Sequence, residues 1–275
     1  MTVAQQHTYT APFDAVAARY DEAFTFSNVG RAQRASVWKE LAKTFAPGDR
    51  ILEIGCGTAV DACFLADRAV QVLACDSSPL MIEAATRRIR ENGREGLVQP
   101  VLLRAEDLST LPRNKLFDGV FSNFGAMNCV EDFNRLARDL AAMVKPGGVA
   151  LLCWMGRYCF WEMAWYLGQG NWRKAFRRVT RKRISARIAD GALVQVRYLP
   201  VKLLAHRFTP WFRLQSVKGI GVIVPPSYLE FLTCRHPRLF RVCERADLLV
   251  GRCPGIRTFA DHVLLRFQRE ATTPE

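Results

Sequence analysis

The chain is short of histidine and has no long apolar run, and each shortage removes a class of function. Only His7, His206, His236 and His262 occur among 275 residues, and none of the nine cysteines stands in a C-x-x-C pair or beside a paired histidine spacing. Zinc sites and disulfide frameworks of the usual spacing are therefore excluded. The cysteines (Cys56, Cys63, Cys75, Cys129, Cys153, Cys159, Cys234, Cys243 and Cys253) read instead as reduced, mostly buried thiols. No apolar segment approaches the roughly 18 residues of a membrane span, and MTVAQQHTYTAPFDAVAARYDEAF lacks the basic start and apolar run of a leader. The expectation is a cytoplasmic protein. Internal repeats and low-complexity tracts are missing too, so the chain should form one large domain over residues 1–275.

Acidic residues are scarce in one half only. Residues 1–150 carry 17 Lys+Arg against 18 Asp+Glu, whereas residues 151–275 carry 22 against 8, so the net charge of +13 belongs to the second half. General solubility is too weak an explanation for such a division.

Apolar runs alternate with helix-like segments. Runs at Arg50–Ile54, Val70–Cys75, Leu97–Arg104, Phe117–Asn123 and Gly148–Trp154 predict strands, and residues 59–67, 79–92 and 131–144 between them predict helices. Two helices, over 13–26 and 31–46, precede the first strand and would fold over the following turn as a lid. Alternation of this kind specifies a parallel sheet with helices on both faces. After Trp154 the pattern breaks into an aromatic segment followed by dense basic residues, with no strand signal until Ala192, which marks a helical cap insertion at about 156–210. Strands at Trp211–Ile220 and Phe259–Gln268, separated by a helix from Ser227 to about Val250, complete the chain. Four parts result: a lid (1–48), a ligand-binding half (49–155), the insertion and a closing segment (211–275).

Ligands of open α/β sheets bind at the carboxyl ends of the strands. The first strand ends in Glu53-Ile54-Gly55-Cys56-Gly57-Thr58, the second in Asp76-Ser77-Ser78, the third runs into Ala105-Glu106-Asp107-Leu108, and the fourth ends at Ser122-Asn123-Phe124-Gly125. One glycine turn after a strand is weak evidence, because loop glycines are common for backbone reasons alone. Four polar strand ends in this order are not. Glu53, Asp76, Glu106 and Asp107 crowd the site with acid, which suits a cation and suits a pyrophosphate badly. A nicotinamide fingerprint also requires glycine where Val60 stands.

With FDAVAARYDEAF, LEIGCGT, CDSSPLMIEAA, AEDLSTLP and VKPGG in this order, the chain resembles the class I S-adenosylmethionine-dependent methyltransferases, most closely the quinone-biosynthesis and malonyl-carrier-protein branch. The resemblance implies a Rossmann-like seven-stranded α/β sheet whose last strand is antiparallel, and S-adenosyl-L-methionine as cofactor. It implies that the Gly55–Gly57 turn approaches the methionine part, with Cys56 and Thr58 in the same turn, and that Asp76, followed by Ser77, accepts from the ribose hydroxyls. Asp107 would accept from the adenine amino group, Met81 and Leu108 would pack on the adenine, and Asn123 with Phe124 would line the place where the methyl is presented. Tyr20 would close over the cofactor from the lid. One departure stands out: the third small position of the usual G-x-G-x-G run is Ala59.

Methyl transfer from a sulfonium is an in-line displacement, for which placement of the acceptor supplies most of the acceleration. The sequence advertises no base. His206, beside the insertion, is the weak candidate, with a surface or packing role about twice as probable by residue type; His262 reads as a structural histidine of a core strand. The insertion combines Trp154, Phe160, Trp161, Trp165, Tyr166 and Trp172 with Arg173, Lys174, Arg177, Arg178, Arg181, Lys182, Arg183 and Arg187. Its aromatic part reads as a cap over a small-molecule acceptor, and its basic part is open between anionic membrane and acyl carrier protein. Nucleic acid ranks lower, since no Asn-Pro-Pro-Tyr type of motif follows the fourth strand. The expected function is methylation of an oxygen or carbon on a hydrophobic lipid, polyketide or quinone precursor. The alternative is a non-catalytic nucleoside-binding module that docks through its basic half.

Overall fold

A computed structural model describes residues 11–180, 182–188 and 191–271; His7 and Arg181 lie outside them. Seven strands form one sheet: β1 (Arg50–Ile54), β2 (Gln71–Asp76), β3 (Val98–Leu102), β4 (Phe117–Ser122), β5 (Val144–Met155), β8 (Phe212–Ile220) and β9 (His262–Arg269), in the order β3-β2-β1-β4-β5-β9-β8. The first five pair in parallel, while β9 runs antiparallel to both β5 and β8. The parallel part is what the alternation of elements implied, and the reversed β9 is what the resemblance implied.

The apolar runs are continuous because both faces of the sheet are covered, so successive residues enter opposite cores. Leu52, Val120, Leu152 and Leu265 pack under α5 (Phe133–Met143) and α8 (Val201–Phe208). Their neighbours Ile51, Phe121, Leu151 and Leu264 pack under α1 (Asn28–Thr44), α2 (Val60–Ala66) and α3 (Pro79–Glu91). Caps fix the helix starts: Ser27 accepts from the Gly30 amide, Ser78 from Met81, and Asp132 from Asn134 and Arg135. The short α4 (Ala126–Cys129) begins at Gly125, just past the end of β4.

Three elements differ from expectation. The first lid helix is a 3-10 turn, Pro12–Arg19, running into a π-helical turn, Asp21–Thr25. The closing helix is split into α9 (Glu230–Arg235) and α10 (Pro237–Val250), because Pro237 offers no amide and drives His236 out of the helical region (φ −131°). The insertion is only partly helical. It holds α6 (Phe160–Gly168) and α7 (Trp172–Ala175), then an antiparallel hairpin of β6 (Ile184–Arg187) and β7 (Leu193–Val196), whose outward positions are Ser185, Arg187, Leu193 and Gln195, and then α8.

A buried strut fastens the insertion to the main sheet. Glu162 on α6 accepts from Arg177 and Arg178, and Arg178 reaches Asp261 beside β9 at 3.0 Å. Much of the basic stretch is therefore used inside the protein. Arg183 pairs with Glu131 at 3.0 Å, and Lys174 sits over the ring of Tyr166. No helix of the described residues is long and apolar enough to cross a membrane.

Candidate active site

A cleft of about 320 Å³, at the lower end of the range for small-molecule pockets, opens at the carboxyl ends of β1, β2 and β4. A second cleft of about 400 Å³ lies at the opposite ends of β1, β2 and β3, around Arg50, Gln71 and Val98. The larger cleft is at the end of the sheet where loops follow helices into strands, away from the glycine turn and every acid discussed above; the chemistry belongs to the first.

Of the residues singled out from sequence, Tyr20, Gly55, Gly57, Asp76, Ser77, Met81, Glu106, Asn123 and Phe124 line this cleft together. The Gly57 amide donates to Asp76 Oδ2 and the Ser78 amide to Oδ1, both at 2.9 Å, so the carboxylate is clamped between the two strand-end turns. Burial pushes the Asp76 carboxyl up, against the pull of those amides. Gly57 is in the left-handed region (φ 53°), and a side chain there would project beside Tyr20. At Gly55 the constraint is different: a Cβ would stand 2.3 Å from that of Ala126. Burial pushes the Tyr20 hydroxyl to about 12, so the ring enters the cleft as a neutral donor.

Six of the selected residues lie elsewhere, each for a local reason. Glu53 is buried behind the turn, 1% exposed, with its Oε2 lacking a hydrogen-bond partner among the described residues. Cys56 is turned inward; its amide donates to the Cys75 carbonyl, and burial holds its thiol well above the ordinary value. Thr58 spends its hydroxyl on the lid, donating to Asp21 at 2.8 Å and accepting from Arg88 at 2.7 Å. Asp107 and Leu108 sit on a 3-10 turn, Ala105–Thr110, in which residues three apart share a face. Ala105 and Leu108 accordingly pack on the same core, Glu106 lines the cleft beside Ala105, and Asp107 is exposed. His206 is exposed on α8, outside the cleft wall, so it is no candidate for a base.

The lid is held by two polar latches that sequence reasoning missed. Asp14 accepts from the Ser78 hydroxyl at 2.5 Å, and Asp21 binds Arg88 at 2.6 Å while Arg88 also reaches the Thr58 carbonyl. Behind the turn, Arg34 of α1 pairs with Asp61 of α2, which also accepts from Trp38 and Asn123. Phe124 adopts a strained positive φ of 43° and is fixed by Asn123, whose side-chain oxygen accepts its amide, and by edge contacts with Phe24 and His262. The remaining wall is mixed: Phe13, Val130, Leu193 and Val194 give it an apolar part, and Arg104, Gln195 and the Arg183–Glu131 pair give it a polar part.

Residues 51–148 match the model of a methyltransferase domain. A demethylmenaquinone methyltransferase from Clavibacter sepedonicus is 33% identical over 145 residues, covering 52% of this chain and 56% of that protein, and one from Mycobacterium marinum is 33% identical with similar coverage (51% and 56%). The chain thus spans just over half the length of the curated relatives it matches. Among solved structures, the CcbJ methyltransferase from Streptomyces caelestis superposes with a TM-score of 0.62 at 16% identity, covering 95% of this chain and 99% of that one. The [4+2]-cyclase SpnF gives 0.61 at 17% identity, with 94% of each chain covered. The fold is shared by proteins of different chemistry, so the site must carry the functional argument.

Proposed function

We propose that this protein, whose residues 51–148 match the model of a methyltransferase domain, moves the methyl group of S-adenosylmethionine to an oxygen or carbon of a hydrophobic small molecule, of the lipid, polyketide or quinone-precursor kind. The observation that carries this reading is the meeting of Gly57, Asp76 and Tyr20 with a partly apolar wall in one cleft.

The residues fit the cofactor. Asp76 would hold the ribose hydroxyls, Gly55–Gly57 would lie along the methionine part, Met81 would pack on the adenine, and Glu106 would take the acceptor role first given to Asp107. The acids Asp76 and Glu106 at the cleft wall favour a cationic ligand, whereas Asp61 behind the turn is already matched by Arg34. When bound, S-adenosylmethionine supplies an electrophilic methyl carbon on a sulfonium. The protein's own contribution is placement: the Asp14 and Asp21 latches hold the lid over the cleft and exclude water, while Phe124 and Asn123 shape the face on which the acceptor is held. Such positioning is worth up to about 7–11 kcal/mol of a barrier, and no base is needed for it. Phe13, Val130, Leu193 and Val194 suit an apolar acceptor, and the relatives' names support one of quinone type. We place the reaction in the cytoplasm, where nine free thiols stay reduced.

Calorimetry with S-adenosylmethionine and S-adenosylhomocysteine is the test. The wild type should bind both, and Asp76→Ala should weaken binding by roughly tenfold to a hundredfold, since each hydrogen bond to a charged group is worth about 1.5–3 kcal/mol. No binding by the wild type, or binding indifferent to Asp76→Ala, sinks the assignment.

A further inference from the structure

The basic half of the chain presents its free charge in an unexpected place. Arg177, Arg178 and Arg183 of the insertion are tied to acids, whereas the arginines of α10 project outward. Leu239, Val242 and Leu249 on that helix are 61%, 61% and 75% exposed, although they are aliphatic. At about 100° per residue they share one arc of roughly 80° on the helix, completed by Ala246. Phe240 and Asp247, on the opposite side, are the buried positions. Beside the apolar arc lies a second one formed by Arg238, Arg241 and Arg245, all exposed. Arg238 and Arg245 have no ion-pair partner among the described residues.

The acids nearby offset this face only in part. Glu230 is occupied by the Asn28 and Val29 amides at the start of α1, Asp247 by the amides of Gly221 and Ile223, and the half-buried Glu244 acts on Arg241, leaving Arg238 and Arg245. The apolar surface continues beyond α10, because α9 presents Phe231, 51% exposed, in ring contact with Trp165 of α6.

We propose that α10 is a membrane-docking helix, which lays Leu239, Val242 and Leu249 into the headgroup boundary of an anionic phospholipid surface with Arg238, Arg241 and Arg245 on the phosphates. An exposed aliphatic arc flanked by arginine is the arrangement of an interfacial helix. Charge decides the occupant. A second copy of this chain would bring arginine against arginine, and each copy carries +13 overall, whereas anionic lipid complements the arc and accepts aliphatic side chains without a shaped pocket. The inference is independent of the acceptor and of cofactor binding.

Vesicle sedimentation of the full chain tests it, with phosphatidylcholine alone and with about one-third phosphatidylglycerol. Binding should occur on the anionic vesicles and fall with salt. The variant Arg238→Gln/Arg241→Gln/Arg245→Gln should bind about a hundredfold more weakly at low salt, from the usual contribution per basic residue near such a surface. Leu239→Ser/Val242→Ser/Leu249→Ser should lose binding at every salt concentration. Unchanged affinity of both variants for S-adenosylhomocysteine shows that they are folded. Failure of the wild type to bind anionic vesicles, or binding unaffected by both variants, overturns the proposal. So does light scattering that shows a dimer dissolved by the leucine variant, or capture by an acidic carrier protein that both variants abolish while vesicle binding is absent.

Discussion

Arg34 and Asp61 form an ion pair of 2.7 Å with side chains only 7% and 5% exposed, behind the cofactor turn and not in it. The pair connects three parts of the molecule: Arg34 comes from α1, Asp61 from the start of α2, and Asn123, at the end of β4, donates to the same carboxylate oxygen at 3.0 Å. Arg34 also lies over the Phe124 ring, 5.1 Å from its centroid. The position of Asn123 and Phe124 at the cleft wall is thereby tied to the helix that follows the glycine turn.

Removing one member of that pair leaves the other charged, buried and unmatched. Asp61→Leu should therefore destabilise the protein by about 3–5 kcal/mol, and Arg34→Met by a similar amount. The double variant Arg34→Met/Asp61→Leu should recover much of the loss, because no lone charge remains. Urea unfolding of the three variants measures this; a double variant as unstable as the sum of the singles would show that the pair is not the unit.

The lid latch has a different energetic character. Burial pushes the Asp21 carboxyl up, but hydrogen bonds from Arg88, Thr25 and Thr58 and the charge of Arg88 outweigh it and hold it below its ordinary 3.8. A carboxylate lowered in this way stabilises the closed lid above the ordinary value and loses that contribution as pH falls through the folded value. Lid closure should thus be insensitive to pH near neutrality and fail only in acid. Asp21→Asn, whose partners are partly exposed, should cost at most about 1 kcal/mol of global stability. Its dissociation rate for S-adenosylhomocysteine, followed by stopped-flow fluorescence, should rise severalfold, and an unchanged rate would rule out the latch.

Glu53 gives the opposite dependence. Burial, reinforced by the neighbouring Asp61 and Asp76 charges and opposed by Arg34, raises its carboxyl well above 4.5. The folded protein keeps this proton at pH values where the unfolded chain has released it. The associated stability is full below about pH 4.5 and declines as pH rises toward the folded value. Glu53→Gln cannot lose the proton, so its stability relative to wild type should grow between pH 5 and pH 8. Guanidinium melts across that interval decide it. The same proton should be released on binding the sulfonium cofactor, visible as a buffer-dependent calorimetric enthalpy that Glu53→Gln removes.

Strands and glycine turn were legible because they depend on neighbours in sequence: an apolar run buried on both faces, then residues whose backbone alone suits a turn. Asp76, Gly57 and Met81 could be placed in the cleft for that reason. Asp61, Arg34, Asp21 and Arg88 were not legible, since their partners lie on other elements and nothing local distinguishes a paired acid from a solvated one. Glu106 lines the cleft and Asp107 does not, a distinction of one residue that no local pattern carries, because it is set by the 3-10 turn on which both sit. The β6–β7 hairpin was not legible because each strand is only four residues long, β6 follows directly on a basic run, and the outward Leu193 blurs the alternation of Val194 and Val196.

The insertion strut offers the sharpest separation of the insertion from the half that carries β1 and β2. Glu162, 1% exposed, accepts from two arginines, and Arg178, 4% exposed, also reaches Asp261. Glu162→Gln keeps the volume but removes the charge, leaving Arg178 with Asp261 alone, and should cost about 3–5 kcal/mol where the cap joins β9. The hydrogen bonds of β1 and β2 lie outside this region. Hydrogen exchange should therefore accelerate in residues 157–188 while protection in 51–76 is retained, and affinity for S-adenosylhomocysteine should fall far less than the turnover of an apolar acceptor. Equal acceleration in both segments would mean that the cap and the cofactor half unfold as one unit, and that the hairpin wall is not separable from the site it covers.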